Sequence, residues 1–470
     1  MYRARLLDMK EWKNKSSRKP LFIRGARQVG KTWLMETFGR EDFGGDVAEL
    51  DFEQDKSAHV IFDGDIDIER IIQDLKMQTG RDIVAGKTLI ILDEIQKCPR
   101  ALTSLKYFCD KAPEYHVVVG GSLLGVLIRE SDESFPVGKV DRLNISPMTF
   151  NEFLIAMGEN GLAQFIDEIP FNNLSILPGY IERLAAVKSR LVAYLKDYIY
   201  IGGMPEVVKD YVENGKSYQR ARARQLAILD DYQGDFGKHA PSDETLRITE
   251  VWDSIPAQLS KENKKFVYGQ IKESARGREY NKALLWLEDA ALTRRIKNTT
   301  IPHSPLKSYL EDFAFKIYCL DVGLLGAMAN LQTESLIEDE GVFKEFKGAL
   351  AEQYVLQELA NLSEENASSR ATISYWSQGE GNSAHEVDFL MEIRGAIIPI
   401  EVKSGTNIRA KSLKAYIEKY NPEYAIIASL NDYCESEISG VKVYNVPLYA
   451  IRAFLRAKMG YWCVNRLWVW

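Results

Sequence analysis

Residues 25–32 form a complete phosphate-binding loop between a short apolar strand and a helix. The glycines at its two ends let the backbone turn tightly and aim its N–H groups at a phosphate. Lys31 is expected to reach the β- and γ-phosphates, and the Thr32 hydroxyl to bind Mg²⁺. The loop opens a helix, so the positive end of the helix dipole faces the anion. The predicted ATP contacts are Gly25, Ala26, Arg27, Gln28, Val29, Gly30, Lys31, Thr32 and Trp33.

A second motif predicts which residues bind the metal ion and activate the attacking water. Residues 89–92 form a continuous apolar run, which is typical of a parallel strand buried on both faces. Asp93 follows at the carboxyl end, where open α/β sheets bind ligands, and is expected to hold Mg²⁺ together with Thr32. Glu94 is placed to polarise water, so the predicted catalytic residues here are Glu94 and Lys31. The alternative is that Glu94 is only a solvated loop acid.

Two further apolar runs, 47–52 and 116–119, also have the pattern of strands. Ser122 follows the second run, where it is either a sensor of the γ-phosphate or a small residue in a tight turn. Strands alternating with helices predict an α/β fold with a doubly wound parallel sheet of the P-loop NTPase type.

Composition limits the class of protein. A chain of 470 residues is too long for one core and suggests about three domains. The net charge of −7 argues against a uniformly basic nucleic-acid coat. Five scattered cysteines favour reduced thiols, and no stretch is apolar enough for a signal segment or a membrane span. We therefore expect a cytoplasmic protein without a membrane partner.

Five segments occur in order along the chain: GARQVGKT, LDEIQKCP, GGSLLGVL, PMTFNEFL and GGMPEVV. Together they resemble the bacterial and archaeal AAA-type ATPases whose C-terminal half is a domain of unknown function with a restriction-endonuclease-like fold. The resemblance covers nearly the whole chain to about residue 450. It implies ATP binding by Gly25, Gly30, Lys31, Thr32, Asp93 and Glu94.

Two positions depart from the pattern of those ATPases. Gly120-Gly121-Ser122 stands where Thr-Gly-Ser is expected, and Gly138-Lys139 where many relatives have Gly-Arg. Lysine lacks the planar fork of an arginine finger. Arg129 and Arg142 remain alternatives, and a finger supplied by a neighbouring copy would imply a homo-oligomer.

The chain divides into five predicted parts. Residues 1–150 form the ATPase core, 151–240 a helical lid, 241–335 a winged-helix-like module, 336–450 the nuclease-like domain and 451–470 an aromatic tail. Between residues 261 and 297 there are ten Lys or Arg and five Asp or Glu. This local positive excess predicts a DNA-binding face, and the alternative is a solvated helix surface.

The last motif is a predicted hairpin, 386–393 with 396–403, turning at Arg394-Gly395. This register opposes Asp388 to Glu401, which repel each other unless a cation lies between them. Mg²⁺ bound by Asp388, Glu401 and the helical Glu352 is the expected occupant, with Lys403 as a catalytic residue. The alternative is a site that no longer cleaves.

The sequence therefore predicts a Mg²⁺-dependent ATPase that couples ATP hydrolysis to a nuclease-like module acting on DNA or on a protein partner. Two alternatives stay open: an ATP-gated switch, or a DNA-binding regulator with an inert C-terminal domain.

Overall fold

The computed structural model describes residues 1–122, 136–261, 264–332, 347–365, 371–379, 385–404 and 410–460. Two compact units divide the chain. The smaller contains residues 2–146 and 286–292, and the larger contains 147–285 and 293–470. Arg129 and the aromatic residues of 461–470 lie outside the described residues.

The smaller unit is built on a parallel sheet. Its strands are β1 (Leu21–Arg24), β2 (Val47–Asp51), β3 (Leu89–Asp93), β4 (His116–Gly121) and β5 (Asp141–Asn144). Its helices are α1 (Arg5–Lys13), α2 (Lys31–Asp42), α3 (Ile68–Thr79) and α4 (Pro99–Lys111). The described strands are ordered β2-β3-β4-β1-β5 and all neighbours run parallel. The predicted parallel α/β fold is confirmed for this part.

Both faces of this sheet are covered. Ile90 and Leu92 pack with residues of α3 and α4 in one hydrophobic cluster. The alternate residue Ile91 is equally buried but points to the other face. On that face, Gly39 of α2 lies so close to Leu89 that an added methyl group would contact it at 3.5 Å. The apolar run 89–92 is therefore a strand buried on two sides.

The larger unit begins with helices. They are α5 (Phe150–Ala156), α6 (Asn160–Asp167), α7 (Leu177–Ile201), α8 (Pro205–Glu213) and α9 (Tyr218–His239). Thr149 caps α5 in a capping box with Glu152. The helices break at Gly202 and Gly203, since α7 ends at Ile201 and α8 begins at Pro205.

That break is an internal junction of the larger unit. Gly203 donates its N–H to the buried carboxylate of Asp321 at 2.6 Å, and its carbonyl accepts the N–H of Met148 at 2.7 Å. Gly202 has φ 77°, a conformation that favours glycine, and any side chain there would collide with Asp321. The GGMPEVV segment therefore has a packing role.

The next elements are α10 (Thr245–Leu259), α11 (Gly277–Asp289), β6 (Thr293–Lys297), β7 (Phe315–Cys319) and α12 (Val322–Met328). β6 and β7 pair antiparallel, from Thr293 with Cys319 to Lys297 with Phe315.

The C-terminal part contains a mixed sheet. Its strands are β8 (Ile373–Gln378), β9 (His385–Ile393), β10 (Ala396–Val402), β11 (Ala425–Ser429), β12 (Cys434–Ile438) and β13 (Val441–Pro447). Its helices are α13 (Lys347–Glu365), α14 (Lys411–Tyr420) and α15 (Ile451–Met459). The order is β12-β13-β11-β10-β9-β8, with β10, β11 and β13 parallel.

Across the described ranges, every helix is too short or too polar to cross a membrane. The four described cysteines, Cys98, Cys109, Cys319 and Cys434, are free thiols. Cys463 lies outside the described residues.

Candidate functional site: the nucleotide loop and the buried carboxylate cluster

The phosphate-binding loop runs from β1 to α2 in an unusual backbone conformation. Gln28 has φ 65° and Gly30 has φ 89°, both in the left-handed region. Gly30 directly precedes Lys31, the first residue of α2. A side chain on Gly25 would collide with the carbonyl oxygen of Ile145. These constraints shape the loop around a space for phosphate at the helix N-terminus.

Arg3 stabilises the phosphate-binding loop by hydrogen bonds. Its guanidinium donates to the carbonyl oxygen of Val29 at 3.0 Å and to that of Ser146 at 2.6 Å. Arg3 is 4 % exposed, so this link is part of the core. The sequence analysis missed Arg3, because no pattern at the N-terminus connects it with a loop more than twenty residues away.

Lys31 is folded back into its own loop. Its ammonium group donates to the carbonyl oxygens of Gly25 at 3.1 Å and Ala26 at 2.8 Å. Burial lowers the pKa of Lys31 to about 8, although the carboxylates of Glu94 and Asp93 oppose this shift. A buried ammonium held by neutral carbonyls gains a better partner when a phosphate arrives. The residues of the loop therefore fit a nucleoside triphosphate.

Asp93 and Thr32 meet even though their strands are not neighbours. Thr32 follows β1 and Asp93 ends β3, and β4 lies between these strands in the sheet. The Thr32 hydroxyl nevertheless donates to Asp93 Oδ2 at 2.5 Å. Gly120 of β4 makes this contact feasible, because a Cβ there would lie 2.7 Å from Asp93 Oδ1 and 2.6 Å from Met35 Cε. The departure from Thr-Gly-Ser at this position therefore leaves room for the Asp93 carboxylate.

Glu94 is held beside Asp93 in a strained conformation. Its φ is 47°, which is uncommon for a residue with a side chain. Its carboxylate accepts hydrogen bonds from the Gln96 amide and from the Ser122 hydroxyl, the latter at 3.3 Å. Burial raises the pKa of Glu94, while Lys31 acts in the opposite direction. A carboxylate with raised basicity near Lys31 is suited to accepting a proton from water.

Gln96 is a second residue that the sequence analysis passed over. It connects Glu94 with Ser122, since its amide also reaches the Ser122 hydroxyl at 3.4 Å. Its position two residues after Glu94, inside the quoted LDEIQKCP segment, was an available signal. Ser122 thus lies within the predicted site and contacts the predicted base.

The three candidates for a transition-state cation have different surroundings. Lys139 makes a 2.5 Å ion pair with Asp110, which occupies its ammonium group. Arg142 lies on the edge strand β5 with an exposed side chain. Arg129 lies outside the described residues. The identity of a finger residue stays a prediction.

The predicted hairpin of the C-terminal part has the predicted register. Ala396 pairs with Ile393, and the ladder continues to Ile400 opposite Phe389. Arg394 and Gly395 both have positive φ, 52° and 83°, as a two-residue type I′ turn requires.

Beyond Ile400, the N–H of Val402 donates to a side chain and not to the backbone of β9. Its acceptor is Asp388 Oδ2, at 2.7 Å. Burial raises the pKa of Asp388, and the nearby charges of Glu352 and Glu401 raise it further. The predicted three carboxylates are thus brought together.

Three lysines accompany these carboxylates. Lys403 pairs with Glu401 at 2.6 Å, and Lys264 pairs with Glu352. Lys316, which is fully buried, lies 2.5 Å from a fourth carboxylate, Glu386, and 3.9 Å from Glu352. Lys264 and Lys316 were not predicted, because only the tertiary fold brings them from the preceding module to the hairpin.

The electrostatics of the cluster follow from burial and these lysines. Burial alone would raise the pKa of Glu352, but Lys264 and Lys316 outweigh it and hold the pKa below its usual value. Burial raises the pKa of Glu401, which Lys403 counteracts. For Lys316, Glu386 and the other carboxylates overcome burial and raise the pKa. The ammonium groups therefore neutralise most of the buried negative charge.

The carboxylates have suitable oxygen donors for Mg²⁺, and Glu401 Oε2 is buried without a hydrogen-bond partner among the described residues. However, no group of three or more His, Cys, Asp or Glu side chains in the described ranges is arranged to hold a metal ion. As arranged, the cluster fits ammonium groups and does not fit Mg²⁺. A magnesium site at Glu352, Asp388 and Glu401 stays a prediction.

The basic segment 261–297 is partly engaged within the chain. Arg294 pairs with Glu364 at 2.6 Å and Lys297 with Asp312 at 2.5 Å. Other basic side chains are exposed near the N-terminal end of α11, namely Lys272, Arg276, Arg278 and Lys282. Any phosphate contact of this segment is therefore best sought around the start of α11.

Comparison with known families agrees with this geometry. Residues 17–154 match the AAA domain family. Residues 192–335 and 347–449 match two families described only as domains of unknown function, DUF8612 and DUF4143. No curated protein matches the chain. The family match and the parallel sheet together place the N-terminal part among the P-loop ATPases.

Several solved structures resemble the chain weakly. The Walker-type ATPase of Pyrococcus abyssi is 14 % identical with a TM-score of 0.40, over 69 % of this chain and 94 % of that one. The ORC1 protein of Aeropyrum pernix, solved in complex with DNA, is 12 % identical with a TM-score of 0.25, over 70 % and 91 %. The ORC2 protein of the same organism is 13 % identical with a TM-score of 0.33, over 70 % and 92 %.

Proposed function

We propose that the chain binds ATP with Mg²⁺ in its smaller unit and hydrolyses it. The observation that carries this proposal is the meeting of the Thr32 hydroxyl and the Asp93 carboxylate across β4, beside the buried ammonium group of Lys31. A hydroxyl and a carboxylate at the mouth of a phosphate loop are the protein ligands that P-loop ATPases offer to Mg²⁺.

Each side chain has a defined task in this proposal. Thr32 and Asp93 would hold the Mg²⁺, which neutralises charge on the phosphates when bound. Lys31 exchanges its loop carbonyls for phosphate oxygens. Glu94 accepts a proton from the attacking water, after exchanging its hydrogen bond from Gln96 for one from that water.

Two substitutions test this assignment. Glu94→Gln should keep ATP affinity and slow hydrolysis by about a hundredfold or more, the usual contribution of a general base. Lys31→Ala should weaken the free energy of ATP binding by roughly 2–3 kcal/mol, because the hydrogen bond from the charged ammonium group to a phosphate is lost. Glu53→Gln is the matched control, because Glu53 is an exposed acid in the same unit. Normal turnover by Glu94→Gln, or an equal loss in Glu53→Gln, would remove Glu94 from its role.

We further propose that residues 241–335 act as a winged-helix-like module that contacts DNA. The order of two helices followed by an antiparallel strand pair supports this, as do the exposed Arg278 and Lys282 on α11. A helix that presents basic side chains to solvent can reach a phosphate backbone.

For residues 336–450 we propose a nuclease-like domain whose response to ATP defines the role of the protein. The hairpin register, which gathers Asp388 and Glu401, supports a fold of this kind. We derive no cleavage step, because the lysines hold the carboxylates. The same lysines favour the alternative of an ATP-gated switch, or a DNA-binding regulator, with an inert C-terminal domain.

Three measurements on the full chain, of ATP turnover, plasmid nicking and DNA binding, separate these roles. ATP turnover that rises with duplex DNA, together with Mg²⁺-dependent nicking of plasmid DNA, would support the coupled enzyme. Slow turnover with ATP-dependent DNA binding and no nicking would support the switch. Light scattering with and without ATP tests a homo-oligomer, which a finger residue from a neighbouring copy would require. We place these activities in the cytoplasm, in keeping with the free thiols.

A further inference from the structure

The turn after β3 brings the side chain of Gln96 back onto Glu94. Residues two apart do not face each other in a regular helix, so this contact depends on the left-handed conformation of Glu94, whose φ is 47°. The Gln96 carboxamide donates from Nε2 to Glu94 Oε2 and, at 3.4 Å, to the Ser122 hydroxyl. Ser122 directly follows β4, which pairs with β3 in the sheet. The carboxamide therefore lies between the ends of two neighbouring strands, beside the proposed base.

The second polar atom of this carboxamide is its oxygen, Oε1. Gln96 Oε1 is buried and accepts no hydrogen bond from the described part of the chain. Burying an acceptor without a hydrogen bond is unfavourable, so such atoms are normally met by a protein group, a ligand or a water molecule. Because Nε2 contacts the Glu94 carboxylate and Oε1 is bonded to the same carbon atom as Nε2, this acceptor lies close to the proposed base.

We infer that Gln96 Oε1 holds the water molecule that attacks ATP. The inference rests on the ATP hydrolysis proposed above and adds a second residue that contacts the nucleophile. The water enters between the two side chains, where it takes over the hydrogen bond to Glu94 Oε2 and donates its other hydrogen to Gln96 Oε1. Gln96 Nε2 keeps the Ser122 hydroxyl as its acceptor. The carboxamide therefore stays anchored to the end of β4 while it holds the water.

A second acceptor orients the nucleophile. A water molecule that donates both of its hydrogens has its lone pairs directed away from the two acceptors, and they can point at the γ-phosphorus. As the bond from the water oxygen to phosphorus forms, the bond from phosphorus to the bridging oxygen of ADP breaks, and its electron pair stays on ADP. One proton of the water passes to Glu94. The hydrogen held by Gln96 remains on the phosphate product.

Turnover of the full chain and its affinity for ATP test the inference. Gln96→Met keeps the length of the side chain but removes the amide, so kcat should fall at least about tenfold, which is about 1.4 kcal/mol of activation free energy, while ATP binds as before. If Gln96 only restrained Glu94, its removal would leave kcat unchanged or raise it, because that hydrogen bond would no longer have to break before each turnover. Such a result would overturn the inference.

Gln73→Met is the matched control, because Gln73 is an exposed glutamine on α3 of the same unit. It should hydrolyse ATP at the rate of the unaltered chain. An equal fall of kcat in Gln73→Met and Gln96→Met would also overturn the inference, since the loss would then follow from any such change in this unit.

A crystal structure of the unaltered chain with ADP, aluminium fluoride and Mg²⁺ does not depend on the folding of a variant. Aluminium fluoride stands in for the phosphoryl group during transfer. A water molecule should lie within hydrogen-bond distance of both Gln96 Oε1 and Glu94. A carboxamide that still donates to Glu94, or a water held by Glu94 alone, would overturn the role of Gln96 and leave the proposed base standing. Normal turnover by Glu94→Gln would instead overturn the base, and the inference with it.

Discussion

Replacing Gly120 by alanine is expected to damage the proposed magnesium site from inside the sheet. The added methyl group would lie 2.7 Å from Asp93 Oδ1 and 2.6 Å from Met35 Cε. Ordinary contacts between such atoms begin at about 3.5 Å, so the neighbours must move by nearly 1 Å. Met35 is flexible and can yield, but Asp93 is fixed by hydrogen bonds from Thr32 at 2.5 Å and from the N–H of Glu94 at 2.8 Å.

Two quantities should change together. Overpacking of a core commonly costs about 1–3 kcal/mol of stability, and for a unit of this size each kcal/mol lowers the melting temperature by about 2–4 °C. If the contact of Asp93 with Thr32 is lost, a charged hydrogen bond worth about 1.5–3 kcal/mol disappears from the proposed metal site. We therefore expect the affinity for Mg²⁺-ATP to fall about ten- to a hundredfold.

Gly39→Ala is the matched control. Its methyl group would lie 2.5 Å from Val47 Cγ2, a similar overlap in the same unit but on α2 and away from Asp93. Alanine also gains up to about 1 kcal/mol of helix propensity over glycine there, so a smaller loss of stability is expected. Differential scanning calorimetry reports stability, and fluorescent-ATP titration with and without Mg²⁺ reports affinity. If Gly120→Ala binds Mg²⁺-ATP as tightly as Gly39→Ala does, the room beside Asp93 does not control the site.

Two further outcomes can be measured on the same protein. Burial lowers the pKa of Lys31 to about 8, and a bound phosphate raises it, so ATP binding takes up a proton above pH 8 and affinity should fall up to tenfold per pH unit there. Measuring the affinity for ATP from pH 7 to 9.5 checks this. Lys31→Ala should bind ATP weakly at every pH in this range, whereas an affinity of the unaltered chain that does not change with pH contradicts the proposed protonation. The double substitution of Arg278 and Lys282 by Glu should weaken duplex DNA binding and reduce its salt dependence, whereas Arg294→Glu should not, because Glu364 already pairs with Arg294. Equal effects of both changes in a binding assay at several salt concentrations would refute the proposed position of the DNA face.

The sequence by itself determined the local elements of both sites. The loop 25–32, the strand that ends at Asp93 and the hairpin register at Ile393 and Ala396 all appear as predicted. These features depend on neighbouring residues: glycine conformations, the alternation of apolar side chains, and a two-residue turn that fixes which residues pair. Features that follow from such local rules can be predicted from the sequence alone.

The tertiary structure alone decided what surrounds those elements. Gly120 leaves room for the contact between Asp93 and Thr32 because β4 lies between β1 and β3. The sequence of a single strand does not predict this order. Arg3 and Lys316 reach their partners from distant parts of the chain, Val29 in one case and Glu386 in the other. A buried charge is stable only when other parts of the fold place a partner beside it. The packing of the chain therefore places ammonium groups where the carboxylate pattern alone predicted Mg²⁺.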